Sequence, residues 1–343
     1  MKKFISYASV VILLGLFIYG FFAYKKVFTA NTNVSKTTYI FIPSNANFQT
    51  VKDSLAKHII NMDNFVYTAE TKGFDKEFYT GRFALEPNMN NYSIIIALSK
   101  NVPLRVSYNN QETIADLANR LAQQTEPSAE DYLQAFTEPY FLEEFGLNED
   151  NVLSVFIPNT YEFYWNVSAP KVRDRLVREY KKFWNEERKA KADSLGLTPL
   201  QVVALASIVQ KETAKVDERP KVAGAYLNRL RINMPLQADP TVIYAIKKES
   251  GDYDQVIKRV LHNDLKINSP YNTYVNAGLP PGPITMPDIS SIDAVLNAEN
   301  HDYIYFCASV DNFGYHVFAS NYNDHLRNAS KYSKWVASQN YVR

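Results

Sequence analysis

Residues 199–213, PLQVVALASIVQKET, decide how the rest of the chain is read. Thr198 is a good N-cap, Pro199 suits the first helical position, and Gln201 completes a capping box, so the stretch opens as a helix. At about 100° per residue, Val202, Val203, Leu205, Ala206, Ile208 and Val209 form one broad apolar arc that needs a core to face. Ala204, Ser207 and Lys211 fall on the opposite side. Glu212 breaks the pattern by projecting between Ile208 and Leu205, inside the apolar arc, while Gln210 sits at its other edge. A carboxylate held against apolar neighbours is costly to ionise, so its pKa is expected to rise. A carboxyl group that keeps its proton near neutrality suits general-acid work such as glycoside cleavage. Pairing with a buried arginine, or escape to solvent at the helix end, accounts for the same placement equally simply.

Downstream, Glu218-Arg219 opens a second helical stretch, ERPKVAGAYLNRLRI, which carries Asn228 and Arg229. Asp239 reads as an N-cap with Pro240 at the next helix's first position. The segments SPYNTY (269–274) and GLPPGPI (278–284) bring amides, rings and prolines together, which serves a cleft wall or plain turn chemistry. Residues 303–309 and 315–319 read as a hairpin across Asp311-Asn312-Phe313-Gly314, closed by a helix over 324–338.

Upstream, residues 171–192 read as one long charged helix with a solvated face. Helices are expected over 113–124 and over 128–136, the latter capped by Ser128. Strands at 38–42, 81–85 and 104–108, with helices at 48–60 and 93–98, make residues 38–105 a small β-α-α-β-like module. The body is therefore α+β, with residues 106–343 as a larger mixed α/β domain.

Residues 4–24, FISYASVVILLGLFIYGFFAY, carry no charge over 21 positions, enough at ~1.5 Å per residue to span a ~30 Å hydrocarbon core. The run is too long for a cleaved signal peptide and lacks a small-x-small cut site, so residues 1–26 read as an uncleaved anchor flanked by lysines. Positive-inside bias places the bulk of the chain outside the cytoplasm. Residues 27–37 (VFTANTNVSKT) read as a polar linker.

Composition removes other classes. Lys plus Arg (37) balances Asp plus Glu (36), against the basic excess of a nucleic-acid binder. A single cysteine, Cys307, rules out an intramolecular disulfide and any site built on several cysteines. The five histidines show no metal-binding spacing, and no Walker A, GxGxxG or GxSxG occurs, so neither metal nor cofactor is expected. The aromatic surplus, 14% of residues, stacks on sugars in some clefts but more commonly fills cores.

Taken together, ASIVQKET (206–213), ERPKVAGAYLNRL (218–230), LQADPTVIYAI (236–246), SPYNTY (269–274) and GLPPGPI (278–284) resemble the endolytic murein transglycosylase, or YceG-like, family. The resemblance extends through FIPNTYEFYW (156–165) and, more loosely, to the 38–105 module, which is similar to the family's LysM-like subdomain. It implies a single-pass inner-membrane enzyme facing the periplasm or cell wall. Such an enzyme cuts nascent peptidoglycan strands between N-acetylmuramic acid and N-acetylglucosamine, leaving 1,6-anhydro ends. Cell-wall synthases at the membrane are the implied protein partners. The family's block commonly holds two glutamates two positions apart. The first is Gln210 here, which leaves Glu212 as the catalytic acid. Glu218, Gln237, Asp239, Asn272 and Tyr274 are the candidates for binding or orienting glycan. A hydrolytic muramidase on the same fold and a non-catalytic glycan-binding scaffold are the competing expectations.

Overall fold

The apolar side chains of α1 (Lys2–Phe28) stand exposed from Val10 to Phe22, so no core of this chain claims them. In the computed structural model, which describes residues 2–338, α1 taken singly is the one helix long and apolar enough to cross a membrane, over Ser9–Phe28. The body is mixed α/β and divides into two units. The first comprises Met1–Val106, Gln124–Pro127 and Tyr161–Ser168; the second holds the rest.

In the first unit, β1 (Thr38–Ile42) leads through α2 (Phe48–Leu55) and α3 (Met62–Lys72) to β2 (Gly81–Leu85), followed by α4 (Asn91–Ala97). β1 and β2 pair antiparallel, with Ile40 opposite Phe83 and Ile42 opposite Gly81. Alternation sends Ile40, Ile42, Phe83 and Leu85 inward, onto Val51, Leu55, Phe65 and Ile94. On the outer face the Arg82 guanidinium lies 3.6 Å from the centre of the Tyr39 ring.

The helix expected over 48–60 stops at Leu55, and α3, absent from the sequence reading, follows it. Asn61 caps α3 by accepting from the Asn64 N–H, and Gly73 ends it in the left-handed conformation (φ 72°) that only glycine adopts without strain. Residues 27–37, read as a linker, are fastened instead. α1 runs to Phe28, and Asn31 is buried beyond it. Asn31 Nδ2 donates to Asn61 O (2.8 Å) and Asn91 Oδ1 (2.6 Å), while its Oδ1 accepts from the Asn61 N–H (2.7 Å). Its amide is polar because it satisfies backbone, not because it faces water.

β3 (Leu104–Tyr108) carries the chain into the second unit, where α5 (Ile114–Ala122), α6 (Ala129–Phe136) and α7 (Pro139–Glu144) follow. Thr113 and Ser128 cap α5 and α6 through capping boxes. After β4 (Asn159–Phe163), the stretch read as one charged helix is two, α8 (Ala169–Phe183) and α9 (Glu186–Ser194). The break has a local cause: Trp184 is buried, and Asn185 caps α9 by accepting from the Arg188 N–H at 2.9 Å.

The core of the second unit is α10 (Pro199–Glu212), packed by α11 (Arg219–Arg231), α12 (Asp239–Ser250) and α13 (Ile289–Leu296). Thr198 and Gln201 form the expected capping box. Every residue from Val202 to Val209 is buried, so the side expected to be polar is not: Ala204 and Ser207 are enclosed too. Ser207 tolerates this because its hydroxyl donates to Ala204 O (2.7 Å) and accepts from the Ile284 N–H (3.0 Å). Full burial of Leu205, Ile208 and Val209 contributes roughly 1.5–3 kcal/mol each. β5 (Tyr305–Ala308) and β6 (His316–Ala319) form the expected antiparallel hairpin, and α14 (Tyr322–Ser338) follows it.

Candidate active site

Glu212 is the last residue of α10, where the helix leaves the core. Its side chain keeps some exposure, yet protein surrounds it closely enough that burial raises its pKa. The Tyr226 hydroxyl donates to Glu212 Oε1 at 2.6 Å, which works against that rise. The charges of His316 and Arg229 oppose it as well, whereas the charge of Asp239 reinforces it. The site is thus a carboxyl group poised to hold a proton, with one oxygen anchored.

The second helix supplies the anchor. Val222, Tyr226 and Arg229 recur at helical spacing on α11 and are all buried. α11 approaches the segment after α13 closely: a Cβ on Gly224 would lie 2.5 Å from Glu299 O and 2.7 Å from His301 Nε2. Arg229 Nε donates to Ile304 O (2.6 Å) and its Nη1 to Leu236 O (2.5 Å). It therefore ties the approach to β5 and the loop before α12 to the same helix.

Two loops place the polar flank. The Gln237 N–H donates to Thr273 O (3.0 Å), the Ala238 N–H donates to Thr273 Oγ1 (3.0 Å), and the Thr241 and Thr273 hydroxyls share a 2.8 Å bond. Gln237 takes a left-handed backbone (φ 49°) to make this turn, leaving its side chain exposed. The stitching brings Tyr274 to Asp239, whose Oδ1 accepts from the Tyr274 hydroxyl at 2.6 Å. Asp239 is not the N-cap the sequence indicated. Ala238 holds that position, Asp239 is the first residue of α12, and its carboxylate makes no capping bond.

Glu218 is buried rather than open to a ligand. Its Oε1 accepts from the His316 N–H (2.6 Å) and its Oε2 lies 2.9 Å from His316 Nδ1. It thereby holds the start of β6 and the His316 imidazole. Asn272 is likewise spent on structure: fully buried, it donates to Leu265 O and Ile267 O and accepts from the Tyr274 N–H. Of the residues chosen from sequence, Glu212, Asp239 and Tyr274 interact with one another, Gln237 stands exposed beside them, and Glu218 and Asn272 position their neighbours. The sequence points to neither Tyr226 nor His316 as a neighbour of Glu212 and gives Arg229 no role there. The i, i+3 spacing of Tyr226 and Arg229 places them on one face of α11 without saying what that face meets.

No group of three or more potential metal ligands gathers among the described residues. Beside the site a cavity of about 330 Å³ is walled by Ile243, Tyr244, Val256 and Ile257. At its rim, Lys211 (2.6 Å) and Lys247 (2.8 Å) both donate to Glu112. Burial pushes the Glu112 pKa up, but the two lysines outweigh it and hold the carboxyl below its usual range.

A family model described as YceG-like matches residues 40–331. The chain belongs to the YceG-like family. An endolytic murein transglycosylase of Bacillus subtilis (strain 168) is similar to it at 29% identity over 351 aligned positions, covering 96% of this chain and 92% of that protein. The endolytic murein transglycosylase of Streptococcus pneumoniae (serotype 2, strain D39) shares 37% identity over 139 residues, which is 40% of this chain but only 25% of that longer protein. A crystal structure of a yceG-like protein from Listeria monocytogenes superposes with a TM-score of 0.55 at 25% identity, covering 86% of this chain and 99% of its own.

In this YceG-like chain Gln210 has a definite occupation. Its Oε1 accepts from the Asp288 N–H (2.5 Å) and the Ser291 hydroxyl (3.0 Å), holding the start of α13 against α10. Gln210 therefore serves as a neutral cap for a neighbouring helix.

Proposed function

We propose that this YceG-like protein is an endolytic peptidoglycan lytic transglycosylase in which Glu212 is first the general acid and then the base. The observation that carries the reading is the Glu212 carboxyl itself: partly open, raised in pKa by burial, and held at one oxygen by Tyr226. The names of the B. subtilis and S. pneumoniae relatives, both endolytic murein transglycosylases, point to the same substrate class.

Glu212 protonates the glycosidic oxygen between N-acetylmuramic acid and N-acetylglucosamine. As carboxylate it then takes the proton of the muramic acid C6 hydroxyl, whose oxygen attacks C1 and closes the 1,6-anhydro ring. The intramolecular nucleophile replaces the water that a two-carboxylate hydrolase must position. Tyr274, Asp239 and the exposed Gln237 flank Glu212 as the glycan-orienting groups.

A second reading, a muramidase that activates water, is favoured by one observation: Asp239 is an exposed carboxylate close enough for its charge to act on Glu212. The Tyr274 hydrogen bond already engages that carboxylate, which supports the first reading.

For location, we read α1 as an uncleaved inner-membrane anchor, with both units on the cell-wall side. The burial of Asn31 and Thr32 supports retention of the helix, since the chain just beyond it is part of the folded unit. We read the β1-α2-α3-β2 module as LysM-like on the order of its elements, and place cell-wall synthases among the partners.

The test is product analysis. Mass spectrometry of glycan digested by the full chain is expected to show anhydro ends one water lighter than reducing ends. Glu212→Gln is expected to abolish them while leaving folding and glycan binding intact. Full activity in that variant sinks the assignment, and reducing ends from the wild type favour the muramidase.

A further inference from the structure

Where α1 leaves its apolar stretch, α3 and α4 of the first unit pack against its sides. Tyr67 of α3 meets Tyr19 of α1, and the Lys26 ammonium lies 4.7 Å from the centre of the Tyr67 ring. Tyr19 stands five residues before Tyr24, the end of the uncharged run, so it lies about 7.5 Å inside that end at ~1.5 Å per residue. Interfacial helices rest their apolar faces about 5–10 Å into the headgroup and acyl boundary. α3 therefore descends beside α1 to the depth of that boundary.

The α4 side carries a matching surface. Tyr24 packs on Phe28 (4.8 Å between ring centres) and Phe28 on Tyr92 (6.1 Å). Tyr92 and Ile96, one helical turn apart on α4, are both exposed. The Lys72 ammonium lies 5.2 Å from the centre of the Tyr92 ring, and Lys25 and Lys26 follow the apolar run directly. On α3, Glu70 and Asp63 fall about 60° and 40° from Tyr67 and flank its contact with α1, whereas Lys72 falls about 140° from Tyr67 and turns to α4. Tyrosines with lysines at this level are the residues that anchor proteins at membrane–water interfaces.

We propose that this face of the first unit, formed by α3 and α4 around the end of α1, is a second membrane-contact surface that seats the unit on anionic phospholipid headgroups. The inference rests on reading α1 as a membrane span. Continuity with that helix supplies the partner, and Lys25, Lys26 and Lys72 supply the complementary charge. The unit is then held to the bilayer at two places rather than hung from one.

The experiment uses the full chain in vesicles of phosphatidylcholine mixed with phosphatidylglycerol. In a Cys307→Ser background, a fluorophore is placed through Ile96→Cys or, as reference, through Gln49→Cys on α2. Brominated acyl chains are expected to quench the label at 96 several-fold more than the label at 49, and equal quenching overturns the proposal. Lys72→Glu, and separately vesicles of phosphatidylcholine alone, are expected to reduce quenching at 96. Insensitivity to both overturns the assignment to anionic headgroups. Alkaline carbonate extraction reads the span independently. A chain that washes out shows that α1 does not span, whereas a retained chain with an unquenched label at 96 fails the surface alone.

Discussion

Tyr226 and Glu212 stand on successive helices, and the 2.6 Å hydrogen bond between them holds the carboxyl from one side only. The bond favours the ionised form while burial favours the proton, and burial prevails. Tyr226→Phe removes the bond and is expected to raise the Glu212 pKa further. A hydrogen bond to a charged group is worth about 1.5–3 kcal/mol, so its loss disfavours the ionised form. The alkaline limb of the cleavage rate should move to higher pH in a pH–rate profile.

Asp239→Asn is expected to shift the same limb the other way. Its negative charge helps keep the proton on Glu212, so neutralising it lowers the pKa of the acid. If the reaction is a transglycosylation, the residual product of this variant still carries anhydro ends, which mass spectrometry reads directly.

Glu212 also leaves a signature in stability. A carboxyl whose pKa is raised on folding contributes stability below its usual value of 4.5 and loses it as pH rises through the folded value. Glu212→Gln, which can still accept from Tyr226, removes that loss. Its melting temperature is expected to exceed the wild type's at neutral pH, with the two converging toward acid pH, as a calorimetric pH series would show.

Glu218→Gln keeps the shape but offers one acceptor where two are needed for the His316 N–H and Nδ1. With the imidazole loosened, kcat is expected to fall roughly tenfold, about 1.4 kcal/mol, with KM little changed. A matching rise in KM would instead assign Glu218 to substrate binding.

Gly224→Ala tests the packing beneath the site. The added methyl meets Glu299 O and His301, and overpacking of this kind costs typically 1–3 kcal/mol, measurable by denaturant unfolding.

What the sequence disclosed follows from where each signal is stored. The start of α10 was legible because Thr198, Pro199 and Gln201 are local chemistry, and Glu212 stood out because helical geometry puts it on an apolar face. The partners of Glu212 were not legible: Tyr226, Arg229 and His316 reach it only through the packing of α11 and the β5–β6 hairpin. Asp239 misled because Pro240 marks a helix start without saying which preceding residue caps it. Asn272 looked like a ligand-binding amide, yet its partners, Leu265 O and Ile267 O, lie in a loop whose course no local pattern reveals. Residues 171–192 concealed a break because charged periodicity continues across Trp184 and Asn185.

If α1 spans the membrane as proposed, its unbroken passage into the first unit has a mechanical consequence. With Asn31 clamped to Asn61 and Asn91 just after the helix ends, little slack remains between rod and body. Membrane helices lean by ~20° on average, and they lean less as the bilayer thickens. A flexible tether would absorb such a change, but here the lean of the rod becomes the lean of the body it carries. With α1 as the proposed span, bilayer thickness would set the attitude of the first unit to the membrane, much as the angle of a mast sets the angle of its yard.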